Sequence, residues 1–398
     1  MAQLPQELID AIVQEVKNKD DLQACSLTAR NLVAASQSGL FRQMSLRWDS
    51  SSRIAPAFAR ARSFLYECPH LSSYIRELTL DLPSFHQGQV ILETILQMLL
   101  HGGHLERLAI NGHAQHWDEL LSQLTLTIPS IIELPSMQCL HLLRISSLPA
   151  SVVFQAASSV RVLSLNRVIP QRVRDITANI PPNTHLETLI LPWCLTTETL
   201  LRACDFLLAV QNLRRLSVDM HSSGYHHSLI ASSSAHLQYL EIECGAFSTP
   251  LNLPPLPALR SLAVLLAKSV DVDRLWTLPE NLTSTIAALP AVCPHLETLK
   301  LTIHIRTLEM EPKWHDHSPF PVFDSLFYRE QLPLLRGIHC CLGYSDPFVA
   351  CAGPYFELAL ERFVALMENK LPAAFREGIL TVGRGQLRSR FNYFEHLP

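Results

Sequence analysis

Charge is scarce in this chain: 17% of its 398 residues are Asp, Glu, Lys or Arg, against 48% hydrophobic. With a formal net charge of −4 there is no reason to expect nucleic acid as a partner, which would call for a basic surface. The one local basic excess, Arg376, Arg384, Arg388 and Arg390, is diluted by Glu377 and Glu395 and reads as a solvated tail. Long apolar runs are missing too, and none approaches the roughly 20 residues that cross a bilayer. No basic leader with a small-residue cleavage site opens the sequence, so no membrane partner is expected. The ten cysteines form no C-x-x-C pair and sit mostly among apolar neighbours. They read as buried free thiols in a reducing compartment, cytoplasmic or nuclear.

Signatures of chemistry are equally absent. There is no Gly-rich loop ending in Lys-Ser or Lys-Thr, no G-x-S-x-G elbow and no H-E-x-x-H helix. Eighteen histidines invite a metal reading. His315, Asp316 and His317 stand together, and His113 lies near His116, but neither group has a second pair to complete a tetrahedral site. His70, His104, His185, His236 and His295 each precede a leucine, which marks a recurrent structural position instead. Asn281-Leu282-Thr283 fits a glycosylation acceptor by chance in an intracellular chain. The expectation is a non-enzyme without cofactor, metal or catalytic residue.

What the sequence does contain is a repeat. From residue 75 a phrase recurs, in which an apolar residue is followed by two others, an apolar residue, one other and an apolar residue. It reads "IRELTL" (75–80), "LERLAI" (105–110), "MQCLHL" (137–142), "VRVLSL" (160–165) and "LETLIL" (186–191). It continues as "LRRLSV" (213–218), "LQYLEI" (237–242), "LRSLAV" (259–264), "LETLKL" (296–301) and the degraded "LRGIHC" (335–340). The steps run from 22 to 39 residues, scattered around the 20–29 of leucine-rich repeats. The last two apolar residues of each phrase, two apart, fall on one side of a short strand. A single strand cannot bury that side, whereas stacked copies share a core.

Helical spacing marks the segments between, as in 90–100, 197–210 and 282–289. A doubly wound domain also alternates strands and helices, but it gives no reason for ten similar phrases. The fold class expected is therefore α/β, an irregular leucine-rich-repeat solenoid with a parallel sheet. The Asn that closes regular repeats survives at Asn111 and Asn166. Segment 356–367 reads as a last amphipathic helix able to cap the sheet.

The first 47 residues differ. In "LPQELIDAIVQEV" (4–16), Leu8, Ile9, Ile12, Val13 and Val16 fall within an arc of about 140° on a helix. Asp20 or Asp21 can cap a second helix that turns Leu22, Cys25 and Leu27 inward. A third amphipathic piece, 29–35, leads to Leu40 and Phe41. Leu4, Pro5, Glu7, Leu8, Ile12, Asp21, Leu22, Cys25, Ser26, Leu27, Arg30, Leu40 and Phe41 together resemble an F-box. The likeness is greatest to divergent fungal F-box proteins with leucine-rich-repeat-like C-terminal regions. Where many F-boxes carry a tryptophan, Asn31 follows Arg30, and Phe41 takes the aromatic role.

The resemblance implies a short N-terminal three-helix F-box (1–47), a linker (48–56), the solenoid (57–371) and a C-terminal extension (372–398). It further implies a substrate-receptor subunit of an SCF-type cullin-RING ubiquitin ligase. The F-box would hold a Skp-type adaptor, and through it cullin, with Leu4, Pro5, Leu8, Ile9, Ile12, Leu22 and Leu40. The alternative is an interaction scaffold whose N-terminal helices only cap the solenoid. Residues alternating with the buried leucines would face the side that is concave in leucine-rich repeats. Among them Arg215, Asp219, Tyr239, Glu241 and Glu243 are expected to form one exposed patch that binds an unknown protein target. The two glutamates would favour a basic partner.

Overall fold

The computed structural model describes residues 5–47, 56–171, 185–191, 204–219, 225–244, 252–267, 280–305, 324, 331–344 and 353–384. The chain divides into two compact units, Met1–Leu186 and Glu187–Pro398. The division falls inside the repeats, and the three N-terminal helices belong to the first unit.

The first unit begins with α1 (Gln6–Gln14), α2 (Lys19–Thr28) and α3 (Arg30–Leu40), then β1 (Gln43–Leu46). Next come α4 (Pro56–Glu67), β2 (Glu77–Asp81), α5 (His86–Gly102) and β3 (Arg107–His116). It closes with α6 (Ser122–Ile132), β4 (Cys139–Ser146), α7 (Ala150–Ser159) and β5 (Val162–Asn166). Consecutive strands pair in parallel from β1 to β5, and α4, α5, α6 and α7 pack successively on one another. Strand–helix–strand units of this kind are the usual way to join parallel strands.

The second unit holds β6 (Thr188–Leu191), α8 (Cys204–Ala209), β7 (Arg215–Asp219), α9 (Tyr225–Ser233) and β8 (Tyr239–Cys244). These are followed by β9 (Ser261–Ala267), α10 (Glu280–Val292), β10 (Thr298–Ile305) and β11 (Gly337–Tyr344). The unit ends with α11 (Gly353–Lys370), α12 (Pro372–Arg376) and β12 (Leu380–Arg384). Its strands are again parallel and in chain order.

Every phrase becomes a strand that opens at the phrase's third residue. The fourth residues stack in register, Leu78–Leu108–Leu140–Leu163 in the first unit and Leu189–Leu216–Leu240–Leu262–Leu299–Ile338 in the second. All are buried. The phrase's second residue sets the register by offering its carbonyl to the two amides that start the next strand. Arg76 O accepts from Glu106 N at 2.8 Å and Arg107 N at 2.9 Å. Arg214 O likewise accepts from Gln238 N and Tyr239 N, both at 2.9 Å, and Gln238, Arg260 and Glu297 repeat the fork. The recurrent histidines sit just before this ladder. His70, His104, His185, His236 and His295 are exposed, and each leucine that follows them is buried.

Two glycines are required by geometry. Gly103 ends α5 at φ 67°, with its amide donating to Leu99 O and Leu100 O, the left-handed cap that glycine favours. At Gly112 an added Cβ would lie 2.7 Å from Arg144 O, because β4 passes close to an irregularity in β3.

The structure revises the boundaries at both ends. The segment following the three helices is itself β1, so the first 47 residues contribute a strand. Pro56 starts α4 and is not linker; residues 48–55 lie outside the described residues. At the other end, 380–384 is a strand of the sheet, where an unplaced extension was expected. The aspartate at 324 accepts from Ala373 N at 2.9 Å and Ala374 N at 3.3 Å, placing a carboxylate at the α12 N-terminus. Residues 385–398, which include Arg388, Arg390 and Glu395, lie outside the described residues.

Candidate functional site: two interaction surfaces

The helical module is organised by α3. Val13 of α1 is 3% exposed and Leu22 of α2 is buried. Leu22 packs onto Gly39, where an added Cβ would stand 3.0 Å from its Cδ1. Gln6 Nε2 donates to Asn31 O at 2.8 Å and ties the start of α1 to α3. The α2 cap is Asn18, whose Oδ1 accepts from Asp20 N at 2.9 Å, so neither Asp20 nor Asp21 is the capping residue. The Phe41 and Phe64 rings, 5.3 Å apart, join the end of the module to α4.

This packing sorts the residues proposed for the adaptor. Leu8 is 51% and Ile12 60% exposed, and Pro5 is exposed beside them. Ile9 and Leu40 are half-buried, and Leu4 lies outside the described residues. Leu22 leaves the set, because its side chain is spent on α3 and has no surface to offer. Leu27 goes the other way: expected inward, it is 81% exposed. The α2 helix turns Leu22 toward α3, and at 100° per residue Leu27, five positions on, points about 140° away. With Leu22 facing α3, helical geometry alone puts Leu27 on the open side of α2.

The second surface lies on β7 and β8, on the side away from the leucine rows. Register places Arg215 opposite Tyr239, Ser217 opposite Glu241 and Asp219 opposite Glu243. The five residues expected to be together are therefore neighbours, but they are not one exposed patch. Arg215 is exposed, and Tyr239 and Glu241 are half-buried, with Tyr239 Oη donating to Glu241 Oε2 at 3.0 Å. Asp219 is 6% and Glu243 8% exposed. Glu243 stands between Asp219 and Leu265 on adjacent strands, and at about 4.8 Å spacing such flanked side chains screen one another.

In the first unit the corresponding strand positions carry a polar cluster. Asn111 Nδ2 donates to Asp81 Oδ1 at 3.0 Å, and Asn111 Oδ1 accepts from His113 N at 3.2 Å. His113 Nε2 is 3.2 Å from Asp81 Oδ1, while His116 Nδ1 is 3.1 Å from Ser147 Oγ. The two histidines thus engage different partners. Among the described residues no group of three or more His, Cys, Asp or Glu is placed to hold a metal ion. His315, Asp316 and His317 lie outside them.

Cys139 Sγ lies 3.1 Å from His141 Nε2, a distance at which a thiol and an imidazole can act together. Burial sets their chemistry against that. Desolvation pushes the Cys139 thiol up to about 12, and it holds the His141 imidazolium down to about 3, assisted by Arg107. The pair is a neutral thiol against a neutral ring. Burial likewise raises Cys293 and Cys340 to about 12. No helix among the described residues is long and apolar enough to cross a membrane.

No protein-family model matches this chain, and no curated protein matches it.

Proposed function

We propose that this chain is a substrate-receptor subunit of an SCF-type ubiquitin ligase, an F-box joined to a leucine-rich-repeat-like solenoid. The N-terminal helices hold a Skp-type adaptor, and through it cullin, while the repeats hold a target protein. The mechanism is positional: tethering the target raises its effective concentration beside the subunits that carry out ubiquitin transfer. The reading needs no cofactor and no catalytic residue in this chain.

The observation that supports it best is the division of α1. Val13 is buried, while Pro5, Leu8 and Ile12 leave an apolar edge open. Burying one such aliphatic side chain against a partner is worth roughly 1.5–3 kcal/mol before association costs. A Leu8→Asp, Ile12→Asp double variant should lose co-purification with the adaptor and keep the wild-type melting temperature, because both positions are exposed. Wild-type chain that never retains the adaptor removes the proposal.

A second reading has one observation of its own. β1 follows α3 directly and pairs with β2 from Gln43–Glu77 to Leu46–Leu80, so the module also closes one edge of the first unit's sheet. On that reading the chain is an interaction scaffold, and its helices are a cap.

A further inference from the structure

The carbonyl fork that sets strand register also lines up side chains. In the second unit it strings together Glu187, Arg214, Gln238, Arg260, Glu297 and Arg336, each just ahead of successive strands. Arginine thus recurs at every second strand along the edge where the strands begin. All three arginines are exposed, and so is Arg215 beside the first.

Their charge is left over. Arg260 Nη1 is 3.5 Å from Glu297 Oε1, a surface pair of the weak kind. Among the described residues Arg214, Arg215 and Arg336 form no ion pair, although Glu187 and Glu297 are their neighbours in the row. The corresponding row of the first unit is different. There Arg42 and Arg76 reach Glu106 at 3.9 and 3.8 Å, and Arg42 and Arg107 reach Glu77 at 3.7 and 3.9 Å. Three arginines there share two glutamates, whereas of the four arginines at the second unit's edge only Arg260 has an ion-pair partner among the described residues. With Asp219 and Glu243 buried, the exposed charges at the start of β7 are Arg214 and Arg215, beside the half-buried Glu187 and Glu241.

Spacing adds a second constraint. Strands about 4.8 Å apart place arginines on alternate strands about 9.6 Å apart. A polyproline II segment has three residues per turn and rises about 3.1 Å per residue, so every third side chain shares one side at about 9.3 Å. We infer that the β7–β11 edge is a docking surface for an extended acidic segment of the target, with carboxylates at every third position. The inference rests on the reading that the repeats hold a target protein and names the chemistry of that target.

The probe is a nine-residue peptide of three Glu-Pro-Pro triplets, titrated against the full chain by fluorescence anisotropy at low salt. Comparison peptides carry Lys for Glu, or the three Glu residues in one block. The spaced acidic peptide should bind tightest and weaken steeply with salt. An Arg214→Glu, Arg336→Glu variant of unchanged circular dichroism should weaken it about tenfold. Absence of binding, equal binding of the blocked or lysine peptide, or indifference to the charge reversal each overturns the inference. Adaptor co-purification is scored separately. A chain that binds the peptide but not the adaptor keeps this surface and loses the receptor reading; the converse loses the surface alone.

Discussion

His141 lies on the side of β4 away from the leucine row, yet it is buried and its imidazolium is suppressed to about 3 from an ordinary value of 6.5. The folded protein holds it neutral, whereas the unfolded chain protonates it below pH 6.5. Its contribution to stability is therefore complete above pH 6.5 and falls away as pH drops toward about 3. The slope in that window is at most about 1.4 kcal/mol per pH unit. Urea midpoints of the wild type and His141→Gln should converge as pH falls from 7 to 4, and a constant gap would contradict the assignment. Sequence offers little warning of this residue. Its place in "MQCLHL" marks it as facing away from the core, and only the neighbouring strands decide that it is buried nonetheless.

At the scale of elements, the phrases were legible because a two-residue period with leucine at fixed places has one compact solution. Each of the ten begins a strand where the pattern places it. The missed elements, β1 "QMSL" and β12 "LTVGR", are end strands with weaker patterns. They are strands because a neighbour offers unpaired backbone groups, which is a tertiary reason. The presence of β1 changes what truncation does. Removing residues 1–47 strips β2 of one of its two partners and takes away the buried Leu46, a loss of about 1.5–3 kcal/mol for that side chain alone. A fragment spanning 42–398 should therefore melt above one spanning 56–398. Equal melting temperatures would show that β1 contributes nothing to the first unit.

At the scale of the molecule, stacked repeats touch mainly their neighbours, so damage stays local. Leu216 is buried between Leu189 and Leu240 in the second unit's row. Leu216→Ala should cost about 2–5 kcal/mol through lost burial and a cavity. Hydrogen exchange should speed up first in β6, β7 and β8, with β2, β3 and β4 little changed. Uniform acceleration across both units would mean that they unfold as one.

Leucine spacing alone settled the class of this protein, its strand positions and the apolar stripe of α1, because burying those side chains is the largest free-energy term available to the chain. The division of that stripe, with Val13 inside and Leu8 and Ile12 outside, needed α3 in place. So did the burial of Leu22 and the exposure of Leu27. The carboxylates at 219 and 243 look like surface in one strand and are covered only when a second strand lies beside them. The arginine edge is the same kind of fact: three residues far apart in sequence become a ruler through backbone hydrogen bonds between strands. Pattern within a strand is written locally, whereas exposure and charge pairing are properties of neighbours that the chain acquires on folding.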